Sequence, residues 1–258
     1  MSQFSAIEHP AIRNSQTCEC DFFRVSVIIP ALNEQEGLRR VLPDLPDVRS
    51  VIVVDNGSTD NTAQVARDCG AIVVAEPVRG YGSACLAGMA ELANQIHPAD
   101  IDSCVIAFLD ADYSDHPEEI AKLVAPILNG NVDLVIGSRV IGERQANAMT
   151  PHSLAGTRFA CWLLGWVTGH RFTDLGPFRA IRYRSLLDLQ MQDRGMGWTI
   201  EMQIKAVRQG LRIQEIRVSY RARIGKSKIS GTITGSIRAG SKILYLIAKY
   251  AFRGRKRS

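Results

Sequence analysis

The sequence predicts an α/β domain in which helices cover both faces of a largely parallel sheet. Short apolar runs alternate with helical segments through the first half of the chain, as strands buried on both faces of such a sheet require. Polar residues follow directly after several of these runs, at the sheet edge where ligands bind. With 258 residues, of which 46% are hydrophobic and 22% charged, the chain has the size and composition of one large globular domain.

In the first half, turn-forming or capping residues separate each predicted strand from the helix that follows it. Pro30 ends the first strand, and the cluster 55–60 ends the second strand and begins a helix. Gly80 and Gly82 open the third helix and indicate a close approach of the backbone to a ligand, and Pro117 opens the fourth helix. The predicted strands are 25–29, 51–54, 71–74, 104–109 and 132–136, and the predicted helices are 33–42, 61–69, 83–95 and 117–128.

The second half has a less regular pattern. An apolar helix is predicted over 155–167, and its two tryptophans, Trp162 and Trp166, are interpreted as core or membrane-facing contacts. A helix over 198–209 leads to a strand over 211–220. The segment 173–181 carries no periodic pattern, and we assign it no regular structure.

The chain divides into three predicted parts. Residues 1–22 are polar and lack the apolar core of a secretory signal, so we expect a disordered leader. Residues 23–232 form the α/β domain. Residues 233–258 are predicted to form an amphipathic helix followed by a basic tail, which can lie in an anionic membrane interface. Alternatively, this helix packs on the core and the tail is solvated.

The hydropathy, the cysteines and the net charge of the chain predict a cytoplasmic protein that prefers anionic partners. The apolar stretch 159–169 is too short to span a bilayer. The six cysteines are scattered and are interpreted as reduced packing residues. A net charge of +5 and a pI near 9.0 favour phosphates, an acidic membrane surface or nucleic acid as partners.

Asp110 and Asp112 form the most informative pair in the sequence because they follow a predicted buried strand. Residues two apart on an extended chain project to the same side, so both carboxylates can converge on one partner. They repel each other unless a cation lies between them, and Mg²⁺ or Mn²⁺ shared with a diphosphate suits such oxygen ligands. Alternatively, one aspartate caps the next helix and the other is solvated.

Other strand ends carry residues that suit a nucleotide. Glu34 closely follows the first strand. Asp55 follows the second strand and can accept hydrogen bonds from a nucleobase or a ribose, or it can instead cap the next helix. Arg139 follows the fifth strand, where a planar cation would face phosphates. Because parallel strands end at one sheet edge, we expect these residues to share a crevice with the acidic pair.

The segment 221–228 combines cations with turn-forming residues. We expect a loop that closes over a diphosphate, neutralises the leaving group and excludes water, with a solvated basic turn as the alternative. Its cations are Arg221, Arg223, Lys226 and Lys228.

Several common nucleotide-binding signatures are missing from the sequence. Neither the glycine-rich dinucleotide motif nor the P-loop motif occurs, which argues against both of those classes. No aromatic RNA-recognition motif accompanies the cations, so we expect no nucleic-acid partner. Only the basic pI and the basic tail suggest a non-catalytic nucleotide- or RNA-binding module.

As an ordered set, the motifs of this chain resemble those of the family 2 glycosyltransferases of the GT-A fold. Within that family the resemblance is greatest to the dolichyl- or polyprenyl-phosphate mannose synthases, and it covers residues 24–232. The motifs are Val27-Ile-Ile-Pro-Ala-Leu-Asn-Glu34, Val53-Val-Asp-Asn-Gly-Ser-Thr-Asp60, Asp110-Ala-Asp112, Gly137-Ser-Arg139 and Arg223-Ile-Gly-Lys-Ser-Lys228.

The resemblance implies a role for each strand-end residue. Those that would hold the nucleoside of a nucleoside diphosphate sugar are Pro30, Leu32, Glu34 and Asp55. Those that would bind Mg²⁺ or Mn²⁺ with the diphosphate are Asp110 and Asp112, and those that would contact phosphates are Arg139, Arg223 and Lys228. The mannose synthases usually carry a side-chain amide two positions after the second aspartate, where this chain has Ser114, and Ser-Gly-Phe where it has Leu175-Gly-Pro-Phe178.

The resemblance also implies an inverting transfer of sugar to a polyprenyl phosphate by an enzyme lying peripherally on the membrane. A metal held by Asp112, with Asp110 assisting, would stabilise the departing diphosphate. A lipid phosphate is already an anion and needs no base, and Arg139 or the loop cations would position it. A soluble or glycan hydroxyl, such as a sugar or phosphoglycerate, is the alternative acceptor and would need a base, with Asp174 and Glu201 as the candidates. Glu201 could instead be a surface charge of its helix.

Overall fold

The computed structural model describes residues 21–146, 148–225 and 245, and a seven-stranded mixed sheet forms its centre. The strands are β1 (Val25–Ala31), β2 (Ser50–Asp55), β3 (Ile72–Ala75), β4 (Val105–Phe108), β5 (Leu134–Ser138), β6 (Arg179–Arg182) and β7 (Ile213–Arg217). Their order across the sheet is β3-β2-β1-β4-β6-β5-β7. β6 runs antiparallel to β4 and β5, and the other neighbouring strands are parallel. The predicted α/β class and largely parallel sheet are confirmed.

Helices cover both faces of the sheet. They are α1 (Gln35–Val41), α2 (Thr62–Asp68), α3 (Tyr81–Gln95), α4 (Ile120–Leu128), α5 (Pro151–Thr168), α6 (Tyr183–Asp188) and α7 (Trp198–Arg208). Every strand and helix predicted within the described residues is present, with differences at the ends. None of the helices in the described ranges combines the length and apolar character needed to cross a bilayer.

Parts of the predicted organisation fall outside the described residues. These are the leader except for its last two residues, Lys226 and Lys228 of the basic loop, and the C-terminal helix and tail except for Tyr245.

The sequence pattern missed β6, which lies between β4 and β5 in the sheet, and α6, which follows it directly. β6 reads Arg-Ala-Ile-Arg, and this composition resembles neither an apolar run nor a polar loop. Its first residue, Arg179, is nevertheless fully buried, and its guanidinium donates to the carbonyls of Gly176 and Thr199 at 3.0 Å each. A buried arginine that is satisfied by backbone carbonyls is a tertiary arrangement, which local hydrophobicity does not reveal.

Alternate residues of the central strands pack into two separate apolar layers. Ile28 and Ile52 belong to the layer that includes side chains of α3, α5 and α7, whereas Val27 and Val53 belong to the layer that includes side chains of α1, α2 and α4. Each of these fully buried side chains stabilises the fold by about 1.5–3 kcal/mol, so a register slip of one residue would exchange the two layers at great cost. The register pairs Ala31 with Asp55, which brings the ends of β1 and β2 level.

Two glycines let backbone segments approach the helices that border this edge of the sheet. A Cβ on Gly37 in α1 would collide with the carbonyl oxygen of Ala111, just between the paired aspartates. A Cβ on Gly82 in α3 would collide with the carbonyl of Asp193. The Ser83 amide donates to the carbonyl of Arg194 at 2.9 Å. At Gly82 the close approach is therefore made by another backbone segment and not, as the sequence suggested, by a ligand.

We expect Gly82→Ala to lower the free energy of unfolding by about 1–3 kcal/mol, because the added methyl group overlaps a backbone carbonyl. The matched control is Gly156→Ala, in an exposed part of α5 with nothing within 4 Å of the new Cβ. There alanine should stabilise by about 0.5–1 kcal/mol. Urea denaturation measures both, and equal stability of Gly82→Ala and wild type would contradict this packing.

Candidate active site

A cavity of about 280 Å³ lies at the carboxyl ends of β1 and β4. Because β1 lies between β2 and β4 in the sheet, chain connections leave this point in opposite directions, which is where open α/β sheets bind ligands. The residues predicted from the sequence that line the cavity are Pro30, Leu32, Glu34, Asp110, Asp112 and Arg223.

The wall formed by the end of β4 concentrates negative charge. Asp112 and Asp115 are buried, and Asp110 is partly buried. Burial, together with the charges of Asp112 and Asp115, raises the pKa of Asp110 well above its ordinary value. The two cavity-lining carboxylates are therefore close enough to repel each other, as the sequence predicted.

Hydrogen bonds fix the orientation of Asp112. Its Oδ1 accepts from the backbone amide of Ser114 at 2.9 Å and from the Ser114 hydroxyl at 2.5 Å. Its Oδ2 lies 3.2 Å from a guanidinium nitrogen of Arg223. Ser114 thus fixes the Asp112 carboxylate through Oδ1, which leaves Oδ2 to pair with Arg223.

Arg223 bridges two acidic walls of the cavity. One guanidinium nitrogen donates to Glu34 Oε1 at 2.9 Å, and another forms the ion pair with Asp112. The backbone of the same segment is paired with the acidic strand end, because the Ile224 amide donates to the Asp112 carbonyl at 2.9 Å. The first part of the predicted basic loop is thereby anchored at the cavity.

Arg221 does not line the cavity, although the sequence grouped it with the diphosphate-binding cations. Its guanidinium carbon lies 3.2 Å from the centroid of the Tyr113 ring. Its nitrogens donate to the carbonyls of Tyr113 at 2.6 Å and Asp115 at 3.1 Å. Arg221 therefore fastens the loop to the acidic segment.

The turns after β1 and β2 are tied together by side-chain hydrogen bonds. The Glu34 amide donates to the Thr62 hydroxyl at 2.8 Å. The Asn33 amide donates to the Ser58 hydroxyl, and Asn33 Oδ1 accepts from the Thr59 amide at 2.7 Å. These bonds support the backbone of Asn33, which has φ of 51°, and they position Glu34 at the cavity.

Asp55 lies at the end of β2 but does not line the cavity. Its Oδ1 accepts from the Ser58 amide at 2.9 Å, so this oxygen stabilises the turn before α2. Its neighbour Asn56, which the sequence also places just after this strand, lines the cavity. The Asn56 amide group donates to the carbonyls of Glu76 and Val78 at 2.9 Å each and connects the strand ends.

Arg79, Tyr81 and Met196 also line the cavity and were not predicted. The glycines beside Tyr81 mark this part of the wall in the sequence, whereas Met196 reaches it only because the backbone of 193–195 packs against α3. Arg79 adds a cation at the rim, where its guanidinium donates to the carbonyl of Gly57 at 3.3 Å.

Arg139 and Asp174 form a bidentate ion pair. Two guanidinium nitrogens and the backbone amide of Arg139 each donate to the Asp174 carboxylate at 2.8 Å. Burial opposes the charged form, but the charge and hydrogen bonds of Arg139 outweigh it and lower the pKa of Asp174. A carboxylate that is fully buried and holds its charge this strongly is a poor general base, so this environment does not support that role for Asp174.

Arg139 does not line the cavity, but its charge reaches the acidic wall. It lowers the pKa values of Asp110 and Asp115, against the larger opposing effect of burial. Its guanidinium carbon also lies 5.1 Å from the centroid of the Tyr220 ring. Asp174 therefore holds the Arg139 guanidinium where its positive charge offsets the negative charge of Asp110 and Asp115.

Glu201 is neither at the cavity nor at the surface. It is buried, accepts from the amides of Gln192 at 3.0 Å and Asp193 at 2.7 Å, and pairs with Lys205 at 2.8 Å. Burial opposes its charge, but these hydrogen bonds outweigh that effect and lower its pKa. Glu201 fixes the turn that carries Met196, so the structure supports neither a catalytic base nor a surface charge at this position.

The cavity has the donor chemistry for a divalent cation shared with a ligand. Asp110 and Asp112 offer carboxylate oxygens, which suit Mg²⁺ or Mn²⁺. Within the described ranges, no group of three histidine, cysteine, aspartate or glutamate side chains is arranged to hold a metal ion by itself. The residues therefore fit an ion whose coordination is completed by phosphate oxygens and water.

The family comparison identifies the chain as a glycosyltransferase. Residues 26–189 match the profile described as glycosyl transferase family 2, and the chain belongs to that family. The expectation drawn from the motifs is confirmed at the level of the family and of the GT-A fold.

Comparisons with individual proteins agree with this assignment. The chain is 41% identical over 217 residues to an uncharacterized glycosyltransferase of Mycobacterium bovis, covering 83% of this chain and 93% of that protein. It is 32% identical over 230 residues to the undecaprenyl-phosphate mannosyltransferase of Micrococcus luteus, covering 82% of this chain and 90% of that protein.

A solved structure shares the fold. Glucosyl-3-phosphoglycerate synthase from Mycobacterium tuberculosis, in complex with Mn²⁺, UDP-glucose and phosphoglyceric acid, matches with a TM-score of 0.68 and 24% sequence identity. The match covers 88% of this chain and 79% of the synthase. At this level of identity the likeness supports the fold alone.

We expect Asp174→Asn to lower the free energy of unfolding at neutral pH by about 3–5 kcal/mol, because it leaves the largely buried Arg139 guanidinium without its counter-charge. The folded-state pKa of Asp174 is lowered, so its contribution is complete above its ordinary pKa and is lost as the pH falls through the folded-state value. The difference between wild type and variant should therefore shrink below about pH 4.

Urea denaturation at several pH values measures this difference. The control is Asp102→Asn, which breaks an exposed pair with Arg184 and should leave stability unchanged. A difference that does not depend on pH would contradict the proposed balance between Arg139 and Asp174.

Proposed function

We propose that this glycosyltransferase moves a sugar, with inversion, from a nucleoside diphosphate sugar to a polyprenyl phosphate at a membrane surface, with Mg²⁺ or Mn²⁺ as cofactor. The observation that carries the proposal is the convergence of Glu34, Asp112 and Arg223 on one cavity at the carboxyl ends of β1 and β4. It joins two carboxylates, an arginine that pairs with both of them, and a crevice in the position that open α/β sheets use for ligands.

The donor nucleotide is proposed to occupy this cavity. Pro30, Leu32 and Glu34 would contact the nucleoside, and Asp55 would contribute through the turn that it stabilises. The guanidinium of Arg223 already lies between two carboxylates, and it would bind the diphosphate oxygens when they enter. Lys228, three residues beyond the described segment, would join it there.

Asp110 and Asp112 are the proposed ligands of the divalent cation. When bound, the cation would neutralise charge that develops on the departing diphosphate. Ser114 would keep the Asp112 carboxylate in place, because it donates two hydrogen bonds to Oδ1. Arg139 would add positive potential next to Asp110 without leaving Asp174.

The state of the two candidate bases supports a phosphate acceptor. Asp174 is paired with Arg139, and Glu201 with the turn 192–193 and Lys205, so neither lies at the cavity as the base that a hydroxyl acceptor would need. An acceptor phosphate is already ionised and needs no base. The 32% identical mannosyltransferase, whose name specifies undecaprenyl phosphate, supports the same choice.

We expect wild-type protein with Mn²⁺ or Mg²⁺ to transfer radiolabelled sugar from a panel of UDP- and GDP-sugars to undecaprenyl phosphate. Asp112→Asn should reduce the rate about 10²–10³-fold, because it removes charge that faces the diphosphate. The matched control is Asp68→Asn, at the exposed end of α2, which should keep the wild-type rate.

The acceptor is tested in the same assay with 3-phosphoglycerate and simple sugars in place of lipid. Transfer to these hydroxyls without lipid would overturn the phosphate acceptor while leaving the glycosyltransferase intact. Activity that survives Asp112→Asn, or is unaffected by chelation of metal, would overturn the proposed metal site.

Calorimetry separates catalysis from simple nucleotide binding. We expect UDP or GDP to bind wild-type protein more tightly with Mn²⁺, and we expect Asp112→Asn to abolish the effect of the metal. Nucleotide binding that is equal with and without Mn²⁺ would favour a non-catalytic binding module.

A further inference from the structure

The outward face of α5 carries an exposed aromatic stripe. The side chains of Phe159, Trp162 and Trp166 are 55%, 65% and 78% exposed. Their spacing of three and four residues places them on one side of the helix. The rings of Phe159 and Trp162 stack with centroids 5.9 Å apart. The stripe is thus one continuous apolar surface, on a helix whose opposite side packs into the core through Leu164.

The segment that carries this stripe, and the lining of the groove beside it, have charge of one sign. The chain contains 26 aspartate and glutamate residues, yet the segment 144–173 contains none. Arg158 and Arg171 are exposed in this segment, and both line a groove of about 640 Å³ between α5 and the turn that follows it. Trp162 and Trp166 line the same groove, so its walls combine indole rings with guanidinium groups.

The groove ends beside the Arg139–Asp174 pair. Thr173 lines the groove, and its hydroxyl lies 2.7 Å from that of Ser138, the residue before Arg139. Cys161 also lines it, and burial with the nearby charge of Asp174 raises the pKa of its thiol to about 12. The groove therefore runs from the exposed stripe to the neighbourhood of the Arg139–Asp174 ion pair.

We propose that the α5 stripe, formed by Phe159, Trp162 and Trp166, docks on an anionic bilayer, with Arg158 and Arg171 on the lipid phosphates. Tryptophan suits the headgroup region because its ring is apolar and its N–H is polar. Cations without carboxylates among them match an anionic lipid surface. The groove would then open at the membrane next to Arg139. The functional reason for docking rests on the proposed lipid acceptor. Docking itself requires no substrate.

The full chain is tested by co-sedimentation with vesicles of phosphatidylcholine mixed with phosphatidylglycerol, without donor or acceptor. We expect wild-type protein to bind, and the double variant Trp162→Ala with Trp166→Ala to bind about tenfold more weakly. The control is Phe23→Ala, which removes a similarly exposed aromatic ring from the turn directly before β1 and should bind as wild type does.

The charge requirement has its own variant. Arg158→Gln with Arg171→Gln should weaken binding to the mixed vesicles and reduce its dependence on salt, with little effect on binding to phosphatidylcholine alone. Metal-dependent UDP binding by each variant, equal to that of wild type, shows that the fold is intact.

Tryptophan emission reports the contact directly. Trp198 is fully buried, so a blue shift on vesicle binding, and quenching by brominated lipids, must come from Trp162 and Trp166. Unchanged emission, or vesicle binding that survives the double tryptophan variant, would overturn the proposal. So would emission already blue-shifted and protected from acrylamide without vesicles, which would mean that another part of the chain or a second copy covers the stripe.

Failure of this inference is distinguishable from failure of the proposed function. Vesicle binding through the stripe without any sugar transfer would retain the docking surface and reject the lipid acceptor. Transfer to polyprenyl phosphate that is unaffected by the double tryptophan variant, together with undiminished vesicle binding, would retain the function and reject the docking surface.

Discussion

The compensation of negative charge at the end of β4 is the interaction on which the site depends. Asp112 and Asp115 are buried there next to Asp110, and burial, opposed by Arg139, raises the pKa of Asp115 to about 7. Carboxylates placed this close are stable only with cations nearby. Arg139 and Arg223 supply that charge from the second half of the chain, and a divalent cation with a diphosphate would use the same electrostatic environment.

Each compensating cation is held by a partner of its own. Arg139 is fixed by the bidentate pair with Asp174, and Arg223 is bound by Glu34 and Asp112 together. Arg221 lies over the ring of Tyr113 and so holds the segment that carries Arg223 against the acidic strand end. The first half of the chain therefore supplies the acidic wall and the nucleotide crevice, and the second half supplies the positive charge without which that wall would be unstable.

Local pattern was sufficient for most of the fold and for part of the site. The apolar runs predicted β1 to β5, and the polar residues after them included Glu34, Asp110 and Asp112, all of which line the cavity. β6 was missed because two arginines mask a buried strand. The structure gives no support to the base roles considered for Asp174 and Glu201, since each carboxylate binds partners that are near only after folding.

The sequence by itself determined the α/β sheet, the family and the acidic pair, because strand burial and residues at strand ends are patterns of neighbouring positions. Only the tertiary structure decided which cation faces which carboxylate. Glu34 and Arg223 are 189 positions apart, and Arg139 and Asp174 are 35 apart. Whether a carboxylate is a base, a metal ligand or a counter-ion depends on its burial and its partners. Both are set only when the folded sheet brings residues distant in sequence into contact.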